Sequence, residues 1–253
     1  TYYCVDQIDS CNPTTQGTSV LVSLEGVNYV RYYSEDSVSN AESVNSVSVE
    51  LDKTDPTLAT VTIESNNPNN QLAMEADTVT LTIDADEPIK TPVISIAGNA
   101  ANVVANNNGG RSYIATYDMQ SGDSEGIVSF VINYEDVAGN SGSSVSATTD
   151  SSEITYDNTP PVTTDDAPTG WQDSDVTVNF NAVDALTNHA YTEYCVDQSD
   201  SCNPTTISTS ADVTTDGVNY VRYRSTDSAG NVESVQSVQV EVDKIAPSTT
   251  DNA

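Results

Sequence analysis

Basic side chains are scarce in this sequence: 7 lysines and arginines stand against 38 aspartates and glutamates in 253 residues, for a formal charge of −31. That deficit excludes nucleic acid and anionic membrane as partners held by electrostatics, because both need a basic patch that releases counterions or docks on lipid. Long apolar runs are also missing; none approaches the roughly 18 residues of a membrane-spanning helix, so no membrane insertion is expected of this stretch. Histidine and tryptophan occur once each, phenylalanine and methionine twice each. His189 lies in the polar stretch ALTNHAY with no serine-elbow motif beside it, and NNNGG at 106–110 reads as a hairpin turn rather than a phosphate cradle. Carboxylates are too plentiful to single out a glycosidase pair. No enzyme is expected.

Helical periodicity is absent as well, and what is present is alternation. Val79, Leu81 and Ile83 alternate with Thr78, Thr80 and Thr82, and Val128, Phe130 and Ile132 alternate with polar neighbours. Val176, Val178, Phe180 and Ala182 repeat the pattern, as do Val238, Val240 and Val242. A period of two puts one face of a strand in a core and the other in water. Many such short segments, punctuated by Gly, Pro and Asn, argue an all-β fold made of two-sheet sandwiches of immunoglobulin type. Trp171, just after Thr169-Gly170, is expected to be a core residue at a domain edge.

The sequence repeats. Residues 1–56 superpose on 192–247 without a gap, with about 37 of 56 positions identical, and NYEDVAGN (133–140) matches RSTDSAGN (224–231). Units end in related phrases, ELDKTDP (50–56), TYDNTPP (155–161) and EVDKIAP (241–247). A proline after a short polar run cannot continue a strand ladder, so these phrases read as linkers. The expected organisation is a partial domain at 1–55, lacking the strands that 159–191 supply to its homologue, complete domains at 56–158 and 159–246, and the start of another repeat at 247–253. The chain reads as a window on a longer, elongated tandem array; the other reading completes the open first unit with a strand from another chain.

The third unit, TEYCVDQSDSC…DGVNYVRYRSTDSAGNVESVQSVQVEVDKIAP, resembles the bacterial immunoglobulin-like repeats of surface proteins, with their pattern EYRxD…YRSxDxAGNxE…xxDxxAP. The middle unit, through LTIDADEPI, INYEDVAGN and TYDNTPP, is similar to related repeats of large adhesins. The resemblance implies an extracellular stalk whose partners are neighbouring repeats of the same protein, and it implies calcium between domains. It names no ligand.

Cys4 and Cys11 have six residues between them within CVDQxDSCNP, as do Cys195 and Cys202. A local disulfide in each copy is the simplest account and requires an oxidising compartment, hence secretion or the cell surface. Zinc would need soft ligands near one another, and His189 is the only histidine.

In an immunoglobulin sandwich the incoming linker, the loop after the second strand and the loop between the last two strands share one end. For the middle unit these carry Asp52 and Asp55, then Asp84, Asp86 and Glu87, then Asp136 and Asn140; for the third unit, Asp157 and Asn158, Asp184, then Asp227 and Asn231. Calcium takes six to eight hard oxygen ligands, which such junctions can supply. The alternative is that Asp and Asn merely begin turns by bonding their own backbone. Asp197 with Asp200, and Asp6 with Asp9, form a further acidic pair in each cysteine loop. The first copy reads DSVSN where the third reads DSAGN, which puts the turn at Ser39 in question.

Tyr220, Arg222 and Arg224 are expected to form an exposed ladder, repeated as Tyr29, Arg31 and Tyr33. It is either a contact surface or a row of cations paired with Glu193 or Glu241. Lys53 and Lys244 flank linker prolines, unlike the buried strand lysine that a self-formed isopeptide bond needs. The functional expectation is a stalk segment of an extracellular adhesin, stiffened by calcium at its junctions. The alternatives are a self-assembling fibre subunit, whose partners are other copies of the chain, and an accessory carbohydrate-binding module.

Overall fold

The computed structural model describes residues 1–106 and 108–251, and among these all regular structure is β. The strands fall into three groups along the chain. The first holds β1 (Tyr2–Asp6), β2 (Thr15–Gln16), β3 (Gly26–Tyr33) and β4 (Asn45–Leu51), in one antiparallel sheet ordered β2-β1-β3-β4. The second holds β5 (Leu58–Ser65), β6 (Leu72–Ala73), β7 (Thr78–Ala85), β8 (Val93–Ile96), β9 (Asn99–Ala100), β10 (Asn102–Ala105), β11 (Ser112–Asp118), β12 (Gly126–Ile127), β13 (Phe130–Asn133) and β14 (Thr155–Tyr156). The third holds β15 (Val162–Asp165), β16 (Trp171–Gln172), β17 (Val176–Val183), β18 (His189–Asp197), β19 (Thr206–Ile207), β20 (Ser210–Val213), β21 (Gly217–Asp227) and β22 (Gln236–Val242).

The middle unit is a sandwich. One layer is β10-β11-β7-β5, and the facing layer is built from β13-β8-β9 and β12-β14-β6. Val79, Leu81 and Ile83 of β7 are fully buried, while the alternate threonines stay half-exposed, as period two requires. They meet Ile94 and Ile96 of β8 and Phe130 and Ile132 of β13 in one continuous core. The third unit repeats the plan: β15-β17-β20 covers β16-β22-β21-β18-β19. Val178, Ala211 and Val213 of the smaller sheet pack on Val221, Val240 and Val242 of the larger, and the Phe180 ring lies 4.8 Å from that of Tyr223. In both units the segment after the first strand crosses to the other sheet and runs parallel to the last strand, β6 beside β14 and β16 beside β22. The 106–110 segment joins the antiparallel pair β10 and β11 with Gly109 and Gly110 at positive φ; Asn107 lies outside the described residues.

Trp171 is not a core residue: it is 59% exposed. Its strand is the two-residue edge of the larger sheet, paired only with Glu241 and Val242, and Trp171 is not among the residues of the core between the sheets.

Each cysteine pair forms a local disulfide, Cys4–Cys11 and Cys195–Cys202. The loops share one scaffold. Asp197 Oδ2 accepts the amides of Ser201 and Cys202, and the Ser199 hydroxyl also donates to it; with these bonds outweighing burial, its pKa is held down to about 2. Asp6 does the same for Ser10 and Cys11. Arg222 reaches the carbonyl of Asp200, whose carboxylate accepts the Ser237 hydroxyl at 2.6 Å. The acids of this loop are therefore spent on bracing it.

Closing this eight-residue loop contributes about 2.5 kcal/mol in the chain-entropy description. The paired substitutions Cys195→Ser and Cys202→Ser are expected to lower the stability of the third unit by about that amount. Urea unfolding followed by fluorescence of Trp171, which only this unit carries, measures it; an unchanged midpoint would show that the Asp197 scaffold alone holds the loop.

Candidate functional site at the unit junctions

Each linker starts with an aspartate immediately after the last strand of a unit: Asp52 after β4, Asp157 after β14 and Asp243 after β22. Proline three or four residues later stops the strand and turns the chain into the next unit. The linkers are also tied backward. Thr54 donates its hydroxyl to Glu25, and Thr159 donates to Glu125 at 2.7 Å.

At the first junction Asp52 meets Glu87, from the loop after β7, and Asp136, from the turn after β13; one carboxylate oxygen from each lies within 4.8 Å of the others. At the second junction Asp157, Asp184 and Asp227 converge in the same way, from the linker, the loop after β17 and the end of β21. Three segments distant in sequence thus bring three like charges together twice. These are the two such acidic groups among the described residues.

The turn that supplies the third acid is built identically in both units. Asp136 accepts the amide of Asn140 on Oδ1 at 2.8 Å and the Asn140 side-chain amide on Oδ2 at 2.7 Å. Asp227 makes the matching bonds to Asn231 at 2.9 and 2.8 Å. Gly139 and Gly230 take positive φ to close the turn. The first copy keeps this cap: Asp36 accepts both Asn40 groups, and Ser39 adopts a φ of 67° in the glycine's place. The doubt that the sequence raised about this turn is resolved in favour of the same cap at some backbone strain.

Electrostatics differ within each cluster. Burial and the charges of Asp52, Asp136 and Asp86 push the Glu87 carboxyl above its ordinary range. Burial likewise raises Asp157, which is fully buried, and Asp184 and Asp227 add to the rise. Burial also acts on Asp136, but the hydrogen bonds from Asn140 and Gly139 outweigh it and leave that carboxyl below its usual value. At the first junction Asp136 is therefore held as a carboxylate by its own turn, and Glu87 beside it takes the strain of like charge.

The remaining sequence candidates are placed elsewhere or serve the frame. Asp84 lies on the wet face of β7, alternating with buried Ile83 and Ala85, and Asp55 is exposed in the linker. Asp86 accepts the Thr57 amide at 2.8 Å and its hydroxyl at 2.9 Å, which pins the loop to the linker and lowers the pKa of Asp86. Asn140 serves as the cap of Asp136. Asn158 accepts the Glu75 amide. Asn231 joins the cluster through its side chain, which donates to the Asp157 carbonyl at 2.9 Å.

Sequence reasoning missed several residues that fix the second junction. Thr187 donates to Asp157 Oδ2 at 2.6 Å. Asn67, in the loop after β5, donates to Asp77 and across the junction to the Ala229 carbonyl, both at 2.8 Å. A β-carbon on Gly230 would lie 3.2 Å from the Met74 sulfur, so the AGN turn seats directly on the middle unit. The only sequence signal was the Asn-rich composition of SNNPNN.

The tyrosine–arginine ladder is largely satisfied internally. Arg224 forms a 2.9 Å ion pair with Glu193 on the neighbouring strand, and Arg222 is turned onto the cysteine loop; Tyr220 stays half-exposed beside it. His189 Nε2 is 2.9 Å from the Thr192 hydroxyl. Lys244 pairs with Asp175 at 2.7 Å, and Lys53 donates to the Ser23 carbonyl at 2.6 Å.

No protein-family model matches the sequence, and no curated protein matches it at a significant level. Among solved structures, the chain is similar to the fibronectin(III)-like modules of Clostridium thermocellum CbhA, at 9% identity and a TM-score of 0.36 over 75% of this chain and 100% of that one. It is similar to the D1-D2 region of Rst, at 13% identity and 0.37 over 75% and 100%. It is also similar to the sialic acid binding region of the Streptococcus sanguinis SK1 adhesin, at 10% and 0.26 over 76% and 78%.

The raised Glu87 pKa fixes a sign. Its contribution to stability is fully present below the ordinary value of 4.5 and is lost as pH rises through the higher folded value, so in cation-free buffer the ionised group is a liability at neutral pH. Glu87→Gln should therefore raise the melting temperature of the middle unit at pH 7 in excess chelator, and the gain should shrink as pH falls towards 4.5. A lower melting temperature for the variant in chelator at pH 7 would refute the repulsion at this junction.

Proposed function

We propose that this chain is a non-catalytic spacer segment of an extracellular surface protein, in which immunoglobulin-like sandwiches are strung in tandem and a divalent cation, calcium by its ligand chemistry, ties each linker to the unit that follows. The observation that carries this reading is the convergence of one linker acid with two loop acids at both junctions. The donor set fits: it is all oxygen, it carries three formal negative charges per site, and no soft ligand is near, as a hard cation prefers. Asp52, Glu87 and Asp136 would hold the first ion, and Asp157, Asp184 and Asp227 the second. A bound cation would neutralise the repulsion and join the linker to two loops, limiting bending between units.

Direct contacts already support a defined angle at the second junction, through Asn67 to Ala229 and Asn231 to Asp157. The two local disulfides are in keeping with folding in an oxidising compartment and so support secretion. No helix among the described residues is long and apolar enough to cross a membrane. Each sandwich buries its own core, so repeats add length without depending on one another for folding.

Thermal unfolding and small-angle scattering of the chain, in millimolar calcium and in excess chelator, test this. A ligand held only by the folded state at 100 times its dissociation constant adds about 2.7 kcal/mol of stability, so calcium should raise the melting temperature and lengthen the particle. Asp136→Ala with Asp227→Ala should abolish both effects. Identical curves with and without calcium would overturn the cation-stiffened junction.

A further inference from the structure

An edge strand leaves half of its backbone groups unpaired and open to another strand, and in the middle and third units nearly every edge is closed or blunted. In the sheet β10-β11-β7-β5 the β5 end is closed by side chains: the Val61 and Ile63 amides donate to the Thr149 and Ser152 hydroxyls, both at 3.0 Å, and the Thr149 amide donates to the Val61 carbonyl at 2.8 Å. The outer side of β13 exchanges a pair of backbone bonds between Ile132 and Val145. In the third unit the Thr163 amide of β15 donates to Glu233 at 3.1 Å, and β20 carries the exposed charge of Asp212. The end strands β6, β9, β12, β16 and β19 have two residues each, too few to hold a partner strand.

The exception is β10. Among the described residues Asn102–Ala105 pairs with β11 alone, and it has no proline, bulge or charge. Antiparallel alternation fixes which of its groups are free. The Asn106 amide donates to the Ser112 carbonyl, so Val104 is the next residue bonded to β11, and Val103 and Ala105 aim their N–H and C=O groups away from the sheet. Val104 lies opposite half-buried Ile114 on the wet face and is 54% exposed.

Charge singles out the same edge. Residues 88–117 contain no aspartate or glutamate, the longest such stretch in a chain of net charge −31. The two cations of this stretch are occupied: Lys90 pairs with Glu135 at 2.8 Å, and Arg111 donates to the Asp86 carbonyl. The edge is therefore neutral in an acidic molecule.

We propose that β10 is an interaction surface for β10 of a second copy of this chain, the two strands pairing antiparallel about a two-fold axis at Val104. In that register Val103 exchanges both backbone bonds with Ala105 of the second copy, and the two Val104 side chains face each other in the close pair that makes no backbone bond. A neutral edge offers no counter-charge to a charged partner, whereas two copies of a −31 chain approach with least repulsion where both are neutral. Four residues a side make a small interface, so one such contact is weak and gains strength where many chains are held side by side. This pairing is independent of any cation at the junctions.

Sedimentation equilibrium of the chain, from micromolar to millimolar concentration with chelator present, tests it. An ionic strength of about 0.15 M sets a screening length of about 8 Å, which removes repulsion between distant acids but not between side chains that face each other. The expected result is a monomer–dimer equilibrium, with amide exchange at Val103 and Ala105 slowing about twofold or more as half of the chain dimerises. Val103→Pro removes an outward N–H while sparing the bonds to β11, and Val104→Asp sets like charges face to face; each should raise the dissociation constant at least about tenfold at an unchanged melting temperature. Mixing Val104→Asp with Val104→Lys should restore the dimer. A monomer at every concentration overturns the proposal. A dimer that survives both substitutions, or forms without slowing exchange at Val103 and Ala105, assigns association to another surface and overturns it likewise. No recovery in the Asp–Lys mixture overturns the two-fold register at Val104.

Discussion

The structure depends on one constraint: a sheet whose side chains alternate in polarity has a single apolar face, and that face must be taken from water by another sheet. In the middle and third units the constraint is met within about 90 residues, and the cores built on Leu81 and Val221 are the result. Burial of that kind is worth roughly 25 cal/mol per Å² of apolar area, which makes it the dominant favourable contribution in a chain with only two phenylalanines. In the first unit the equivalent sheet has no facing sheet among the described residues, and Tyr32 and Val49 are exposed.

Charge is the second organising force. With an excess of 31 negative charges, the molecule repels itself at long range, which favours extension and solubility over compaction between units. The acids are nonetheless gathered at the linkers, where separation would be electrostatically easier. The frame enforces this gathering. Asp136 and Asp227 are locked by their own asparagines, and Asp157 is buried against Thr187. Preorganised carboxylates of this kind carry a like-charge repulsion that a bound cation would relieve.

Most of the fold was legible in the sequence because strand alternation and turn residues are local signals. The Val79, Leu81, Ile83 series and the Val176, Val178, Phe180 series each needed only their own segment to be read. The cysteine loops were legible for the same reason, since seven residues bring the two thiols together without reference to the rest of the chain. Trp171 was misjudged because its burial depends on whether a facing sheet extends over a two-residue edge, and nothing nearby in sequence encodes that. Arg224 was readable only as a choice between contact and pairing; the register of β18 against β21, which sets Glu193 opposite it, made the choice.

The sequence by itself determined the all-β class, the repeat, the faces of the strands, the disulfide pairs and the three segments from which junction acids would come. Only the tertiary structure decided which acids meet. Asp52, Glu87 and Asp136 converge while Asp55, Asp84 and Asp86, one to three residues from one of them, do not. The reason is geometric. A strand's period of two sends neighbouring side chains to opposite faces, and a loop's path beyond the strand is set by packing and by bonds such as Asp86 to Thr57. The hydrogen bonds from Asn67 and Asn231 across the junction belong to the same class, because they join residues 162 and 74 positions apart that only the docking of two folded units brings within reach.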